Sequence, residues 1–419
     1  MDTLRQRAER PLRDFGNWLA ALGERVAARP GVEFTLVAGV ALAAAGLLAL
    51  RTSLLSYGNP VFAEPGWDHH AYIAMARDNP FDFHLAPFGW RVGLPWLAKA
   101  LPFGLQTNFF LIAFAAVVAT AVVLYHALKA AGFNRTLALI GLGFLFTLGW
   151  AAKFPLQDFW LPDALLFLAV TGALLCILQK RAVAFAIILV LGVTVKEAVI
   201  FVVPLYYTLQ AKRPFDARLA IRTAAVALPA VAVLVALRLA IPARNDDLGY
   251  VATLTPQLQS FRDFIPSYDY YVLLRDIGYH QRLQDYSLET WLLYTSGTWS
   301  VPVLALAVIG AIRRPLLALR LSPFLVLVYA QILFALNIER LLVLGFPVMI
   351  WLALEGVRHL CDRIGVAAAW FVPLPLVLFV LQFEHPALVP TRFEAETFVF
   401  LGWLAIVLAM APARAAPVA

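Results

Sequence analysis

Apolar residues run in long blocks through most of this chain, and short polar groups separate them. A block of about 20 apolar residues suits a helix that crosses a bilayer. Blocks at 34–54, 107–128, 136–152, 163–179, 182–195, 198–211, 223–243, 291–312, 315–336, 341–359, 366–382 and 397–412 predict about twelve spans, in a range of roughly 11–13. The blocks at 182–195 and 198–211 are short and fit a tilted or re-entrant hairpin as well as two full crossings. Two polar loops are long, 55–106 and 244–290, and those on the opposite side are all short.

Residues 1–30 differ from the rest. Leu4, Leu12, Phe15, Trp18, Leu19, Leu22 and Val26 alternate with charged positions, which predicts an amphipathic helix on the inner membrane face. A loosely ordered tail is the other reading. Residues 31–419 read as a single transmembrane domain. The expected fold is all-α: a polytopic transmembrane helical bundle with interfacial helices in its first outer loop.

Composition supports this class. The chain has 419 residues, of which 62% are hydrophobic and 14% charged, against about 25% charged in a soluble domain. The net charge of +7 does not point to nucleic acid. Basic residues sit in the short loops, as Lys129 and Arg135, Lys180 and Arg181, Lys212 to Arg222, Arg313 and Arg314, and Arg358 and Arg363. That bias predicts both termini in the cytoplasm and the two long loops outside. The long polar lead does not fit a cleavable signal peptide. Cys176 and Cys361 fall toward cytoplasmic helix ends, so no disulfide framework is expected.

Polar chemistry gathers on the outer side. The stretch PGWDHHAYIAMARDN (65–79) predicts a short helix over 68–78 with Asp68, Tyr72 and Met75 on one face. A second short helix is expected from Pro95, with Leu94, Leu97 and Leu101 toward lipid. QDFWLPDA (157–164) adds Asp158 and Asp163, with Lys153 just before. VKEAV (195–199) adds Lys196 and Glu197, and NIERLL (337–342) adds Glu339 and Arg340. Ionisable groups beside membrane spans are functional candidates. Lys196–Glu197 and Glu339–Arg340 also fit local ion pairs or interfacial anchors. His69 and His70 are adjacent and would not face one centre from a helix, so no metal site is assigned. No GxxxxGK[ST], GxGxxG or HExxH occurs, and the inner loops are too short to house a nucleotide-binding domain. An enzyme working on the outer face would receive its activated substrate on a lipid. Arg91, Lys153, Lys196 and Arg340 suit the phosphate of such a lipid.

The order of these motifs resembles GT-C fold glycosyltransferases of the bacterial multi-pass kind. GWDHHAYIAMARDN followed by FGWRVGLPWLAKALPFG is similar to their first outer loop. LPDALLFLAV (161–170), LGVTVKEAVIFVVP (191–204) and IERLLVLGFPVMI (338–350) resemble their later helix junctions, so the likeness runs over roughly residues 34–360. The chain departs from the pattern at His69–His70, where glycine or an acidic residue is common, and in having no soluble C-terminal domain. The resemblance implies a bacterial plasma-membrane enzyme that moves a sugar from a polyprenyl-phosphate donor to a glycan or lipid acceptor; no cofactor is assigned, and use of a divalent metal stays open. It carries the role of general base to Asp68. The expected substrate-binding residues are His69, His70, Tyr72, Arg91, Lys153, Asp158, Asp163, Lys196, Glu197, Glu339 and Arg340. A lipid transporter or flippase is the alternative from another class, and it would need polar residues along the middle of spans. Only Arg238, Gln331 and Glu355 come near that description. A glycan polymerase or ligase using a diphosphate-linked donor is the alternative within the fold.

Overall fold

The computed structural model describes residues 30–245, 247–259, 287–333, 337–384 and 390–409. The expected amphipathic helix of residues 1–30 (save Pro30), and Tyr268, Tyr270, Tyr271 and Tyr286 of the second long loop, lie outside the described residues.

The first apolar block forms α1 (Pro30–Arg51), with proline opening the helix, Glu33 in its first turn and Arg51 in its last. These charges complement the helix dipole at both ends. The first long loop then folds over one end of the bundle and carries α2 (His69–Arg77) and α3 (Gly93–Ala100), close to the two short helices expected there. Leu94 is buried in the core, however, while Trp96 and Leu97 are the exposed apolar residues of α3. Beyond the loop come α4 (Leu105–Ala130), α5 (Arg135–Thr147), α6 (Asp163–Leu178), α7 (Ala182–Val195), α8 (Val203–Gln210) and α9 (Ala217–Ala240). The second half holds α10 (Leu288–Trp299), α11 (Val301–Arg313), α12 (Pro315–Ala330), α13 (Ile338–Leu342), α14 (Phe346–Ile364), α15 (Pro373–Glu384) and α16 (Pro390–Ala409).

Among the described residues, four stretches are long and apolar enough to cross a membrane: Gly31–Arg51, Leu105–Ala130, Ala217–Ala240 and Ile338–Ile364. The count rises to six if each of two bent pairs is one crossing. The other predicted spans are shorter helices or carry more charge. Two predicted spans are broken. The 136–152 block leaves α5 at an extended Leu148 and re-forms as a wide turn at Gly149–Lys153, bending the path by 76°. The 291–312 block breaks at Ser300, whose φ of 57° lies in the left-handed region, and bends by 99°. Gly297 and Pro302 flank that break, and neither favours a continuous helix.

The stretch Ile338–Ile364 is buried along its whole apolar length and forms the axis of the bundle. It packs against α11 with backbones nearly touching. A Cβ at Gly310 would meet the Leu352 carbonyl, and one at Gly356 would meet the Leu306 carbonyl. Backbone cannot yield as a flexible side chain does, so Gly310→Val is expected to destabilise the protein by about 3 kcal/mol, the upper part of the overpacking range. Thermal unfolding of the purified protein checks this, and an unchanged midpoint would show that the two helices separate freely.

The first loop is pinned to the bundle by buried hydrogen bonds. The Leu55 N–H donates to the Gln157 carbonyl at 2.8 Å, and the Trp160 indole donates to the Leu55 carbonyl at 2.6 Å. Asn245 accepts from the Ala86 N–H at 2.8 Å and donates to the Ala86 carbonyl at 3.0 Å. Asn108 donates to the carbonyls of Ala98, Leu101 and Phe103 at 2.8 to 3.0 Å, closing the end of α3. These bonds satisfy polar groups that lipid could not. They also fix the loop that carries Asp68 and Arg91.

Candidate functional site

The loop meets the head of the axial helix at a buried cluster of charges. Arg340, in the short α13, is its centre. Its guanidinium donates from Nε to Asp163 Oδ2 at 2.8 Å, and its Nη2 lies 2.7 Å from the same oxygen as an ion pair. Its third nitrogen, Nη1, donates to Asp68 Oδ2 at 2.7 Å. Asp163 is the first residue of α6, and its side chain is only 2% exposed. Its other oxygen accepts from Lys196 Nζ at 2.9 Å. The Phe154 ring lies 5.8 Å from the Arg340 guanidinium carbon and closes its flank.

A second arginine completes the cluster. Arg91 donates from Nε and Nη2 to the two oxygens of Glu197, at 3.0 and 2.6 Å, and from Nη1 to the Tyr72 hydroxyl at 3.2 Å. Tyr72 is fully buried one helical turn beyond Asp68, and burial pushes its hydroxyl up to about 12. The loop reaches this depth because Gly93 sits against the end of α7, where a Cβ would come within 2.6 Å of Thr194 Oγ1.

Lys196 and Glu197 are neighbours in sequence with different partners. Lys196 has extended backbone (φ −163°, ψ 131°), so successive side chains point opposite ways. One serves Asp163 and the other Arg91. The Arg340 guanidinium likewise pairs with Asp163 and Asp68, distant in sequence, rather than with Glu339, which is half-buried.

The charges nearly balance. Arg91, Lys196 and Arg340 face Asp68, Asp163 and Glu197. Asp158 is a fourth acid, buried, with its Oδ1 lacking a hydrogen-bond partner. Burial pushes Asp158 up to about 8, with the like charges of Asp68 and Asp163 adding to the shift against the pull of Arg340. It is therefore mostly protonated at neutral pH, and three cations face three carboxylates. Such an assembly is poor stabilisation, since desolvation offsets most of the attraction between buried ions. A buried, paired cluster at one end of a membrane bundle is better explained by what it can bind.

Other residues expected here bond to backbone carbonyls instead of the cluster's charges. His69 Nε2 sits 3.1 Å from the Phe62 carbonyl, and His70 Nε2 sits 3.0 Å from the Glu64 carbonyl. Both rings pack on Phe62, and burial lowers both histidines, His69 to about 4. They are neutral groups holding the loop's own backbone. Lys153 Nζ donates to the Gln382 carbonyl at 3.0 Å. Two contributors carried little signal in the sequence. Phe154 stood among many aromatic residues. Gln382, whose side chain donates to the Phe146 carbonyl at 2.6 Å, ends a predicted apolar block and was not singled out. Among the described residues no group of three or more histidine, cysteine or carboxylate side chains is placed to hold a metal ion.

No protein-family model and no curated protein matches the chain. Among solved structures it is similar to the crystal structure of the apo oligosaccharyltransferase of Archaeoglobus fulgidus, at 13% identity and a TM-score of 0.47. The match covers 89% of this chain and 55% of that one, so the chain spans about half the length of its neighbour. A likeness of that size carries no argument about activity, which rests on the side chains.

Proposed function

We propose that this protein is a membrane-embedded inverting glycosyltransferase of the GT-C type. Its donor is a polyprenyl-phosphate sugar, and its acceptor is a glycan or lipid on the extracytoplasmic face of a bacterial plasma membrane. One observation carries the reading: a buried cluster of arginine, lysine and carboxylates at one end of the axial helix, with a partly exposed carboxylate, Asp68, held to Arg340 by one bond. Lipid phosphate and sugar hydroxyl meet at such a boundary. Asp68 takes the proton of the acceptor hydroxyl as that oxygen attacks the anomeric carbon. Help of this kind is worth ~10²–10⁴-fold. The transition state has oxocarbenium character, and the departing phosphate needs cations more than a proton.

The opposite end of the bundle has a different character. Glu355 is tied to Arg314 and Arg358, and Glu33 to Tyr125, Lys129 and Arg135. Arg340 and Arg358 are 18 positions apart on the axial stretch, roughly 27 Å at 1.5 Å per residue, about the thickness of the hydrocarbon core. Polar groups thus gather at two faces rather than along a path, which favours an enzyme over a transporter. The basic-rich end fits the cytoplasm, and about twelve passes would place both termini there.

Sidedness tests this reading. In sealed, right-side-out vesicles, Asp82→Cys should react with a membrane-impermeant thiol reagent, and sugar transfer should require the donor on that same side. Labelling only after permeabilisation, or no transfer from any polyprenyl-phosphate sugar, would refute it.

A further inference from the structure

All three cations of the cluster are already occupied by carboxylates, so a substrate phosphate can reach one only by replacing an acid. The geometry shows which acid yields. Arg91 is engaged through all three nitrogens, two of them in a fork on Glu197. Lys196 and Asp163 are sealed, with side chains 7% and 2% exposed. Arg340 holds Asp163 through two nitrogens, which fixes the guanidinium whatever happens at the third. Its bond to Asp68 runs through one nitrogen and one oxygen, and the Asp68 side chain is 28% exposed. Asp68 also opens α2 without capping it, so the helix does not hold the carboxylate in place.

We propose that Asp68 occupies the anion subsite of Arg340 when the enzyme is empty, and that the donor's phosphate exchanges with it there. This rests on the glycosyltransferase reading and adds a mechanism: donor binding itself releases the base. While Asp68 Oδ2 accepts from Arg340, the carboxylate is held turned toward the guanidinium. Once a phosphate oxygen takes the Nη1 hydrogen, the Asp68 carboxylate is free to turn toward the acceptor. Asp68 then takes the acceptor's proton. The acceptor oxygen bonds to the anomeric carbon, and the bond from that carbon to the phosphate oxygen breaks. Its electron pair stays on the phosphate, held by Arg340. Return of Asp68 to Arg340, after its proton passes to water, expels the product phosphate. Asp68 is therefore freed only where a donor phosphate is already bound. The subsite is specific for an anion, because a neutral lipid alcohol offers Arg340 nothing to replace a carboxylate.

The test measures binding of a sugar-free, short-chain polyprenyl monophosphate to the full chain in zwitterionic nanodiscs, with the matching polyprenol as control. Asp68→Asn removes the competing charge and keeps the shape. It should bind the monophosphate about tenfold more tightly than wild type, a change of about one decade in Kd, and Asp68→Ser should do the same. Asp68→Glu, which still competes, should stay near wild type, and polyprenol affinity should be unchanged in all. Equal or weaker monophosphate binding by folded Asp68→Asn would overturn the exchange. A second readout needs no variant. Bound monophosphate should raise the labelling of Asp68 by a water-soluble carbodiimide in the wild-type protein, and unchanged labelling would overturn the proposal. Tighter binding without sugar transfer would uphold the exchange and remove the glycosyltransferase reading. Sugar transfer without tighter binding would do the reverse.

Discussion

Asp163→Ala is expected to destabilise the protein by about 4 kcal/mol, the range seen when one partner of a buried ion pair is removed. Asp163 is the only acid shared by two of the cluster's cations, receiving Lys196 at 2.9 Å and Arg340 at 2.7 and 2.8 Å. Its removal strands a buried ammonium and loosens the guanidinium that Asp68 alone would hold. The loss should appear in thermal unfolding before any assay of activity. Asp163→Asn should be milder, since the amide oxygen still accepts a hydrogen bond. Adding Lys196→Met to Asp163→Asn should recover part of the lost stability by removing the stranded charge. A wild-type midpoint for Asp163→Ala would mean that the cluster is solvated in the working protein. The buried-anchor account of Arg340 would then fail.

The helical class, the first spans and the two short helices of the first long loop were legible because they rest on local pattern. Long apolar blocks give spans, and the spacing of Asp68, Tyr72 and Met75 gives one face of a helix, on which Tyr72 and Met75 are buried. The breaks were not legible. Ser300 and Leu148 sit inside apolar blocks, and hydropathy does not distinguish a bent path from a straight one. Polar candidates were visible one by one, because ions beside spans are conspicuous. Their pairing was hidden. Lys196 and Glu197 look like a local pair in one dimension, but an extended residue sends them to opposite sides. His69 and His70 look like substrate-binding residues, but Phe62, in a short 3₁₀ turn seven positions before His69, takes both rings. Contacts fixed by loop geometry leave no periodic trace in a sequence.

Asp68→Asn is expected to lower turnover by ~10² or more while leaving the fold almost intact. Arg340 keeps its hydrogen bond and ion pair with Asp163, and only one partly exposed contact is lost, so the melting midpoint should move little. An amide cannot take the acceptor's proton, and this loss appears in kcat. Affinity for the lipid phosphate should move the opposite way, so kcat falls while donor binding tightens. A purely structural role for Asp68 would move both with stability. Near-normal turnover would place the base elsewhere. Asp163 and Glu197 are each held by charge-assisted bonds from buried cations, which leaves Asp158 as the next carboxyl to replace. The pH profile separates that case. A carboxyl pushed up to about 8 by burial acts as a base only after losing its proton. A rate limited by Asp158 would therefore climb as pH rises through about 8, and Asp158→Asn would abolish the climb. If the climb is absent and Asp68→Asn is slow, the proton goes to Asp68.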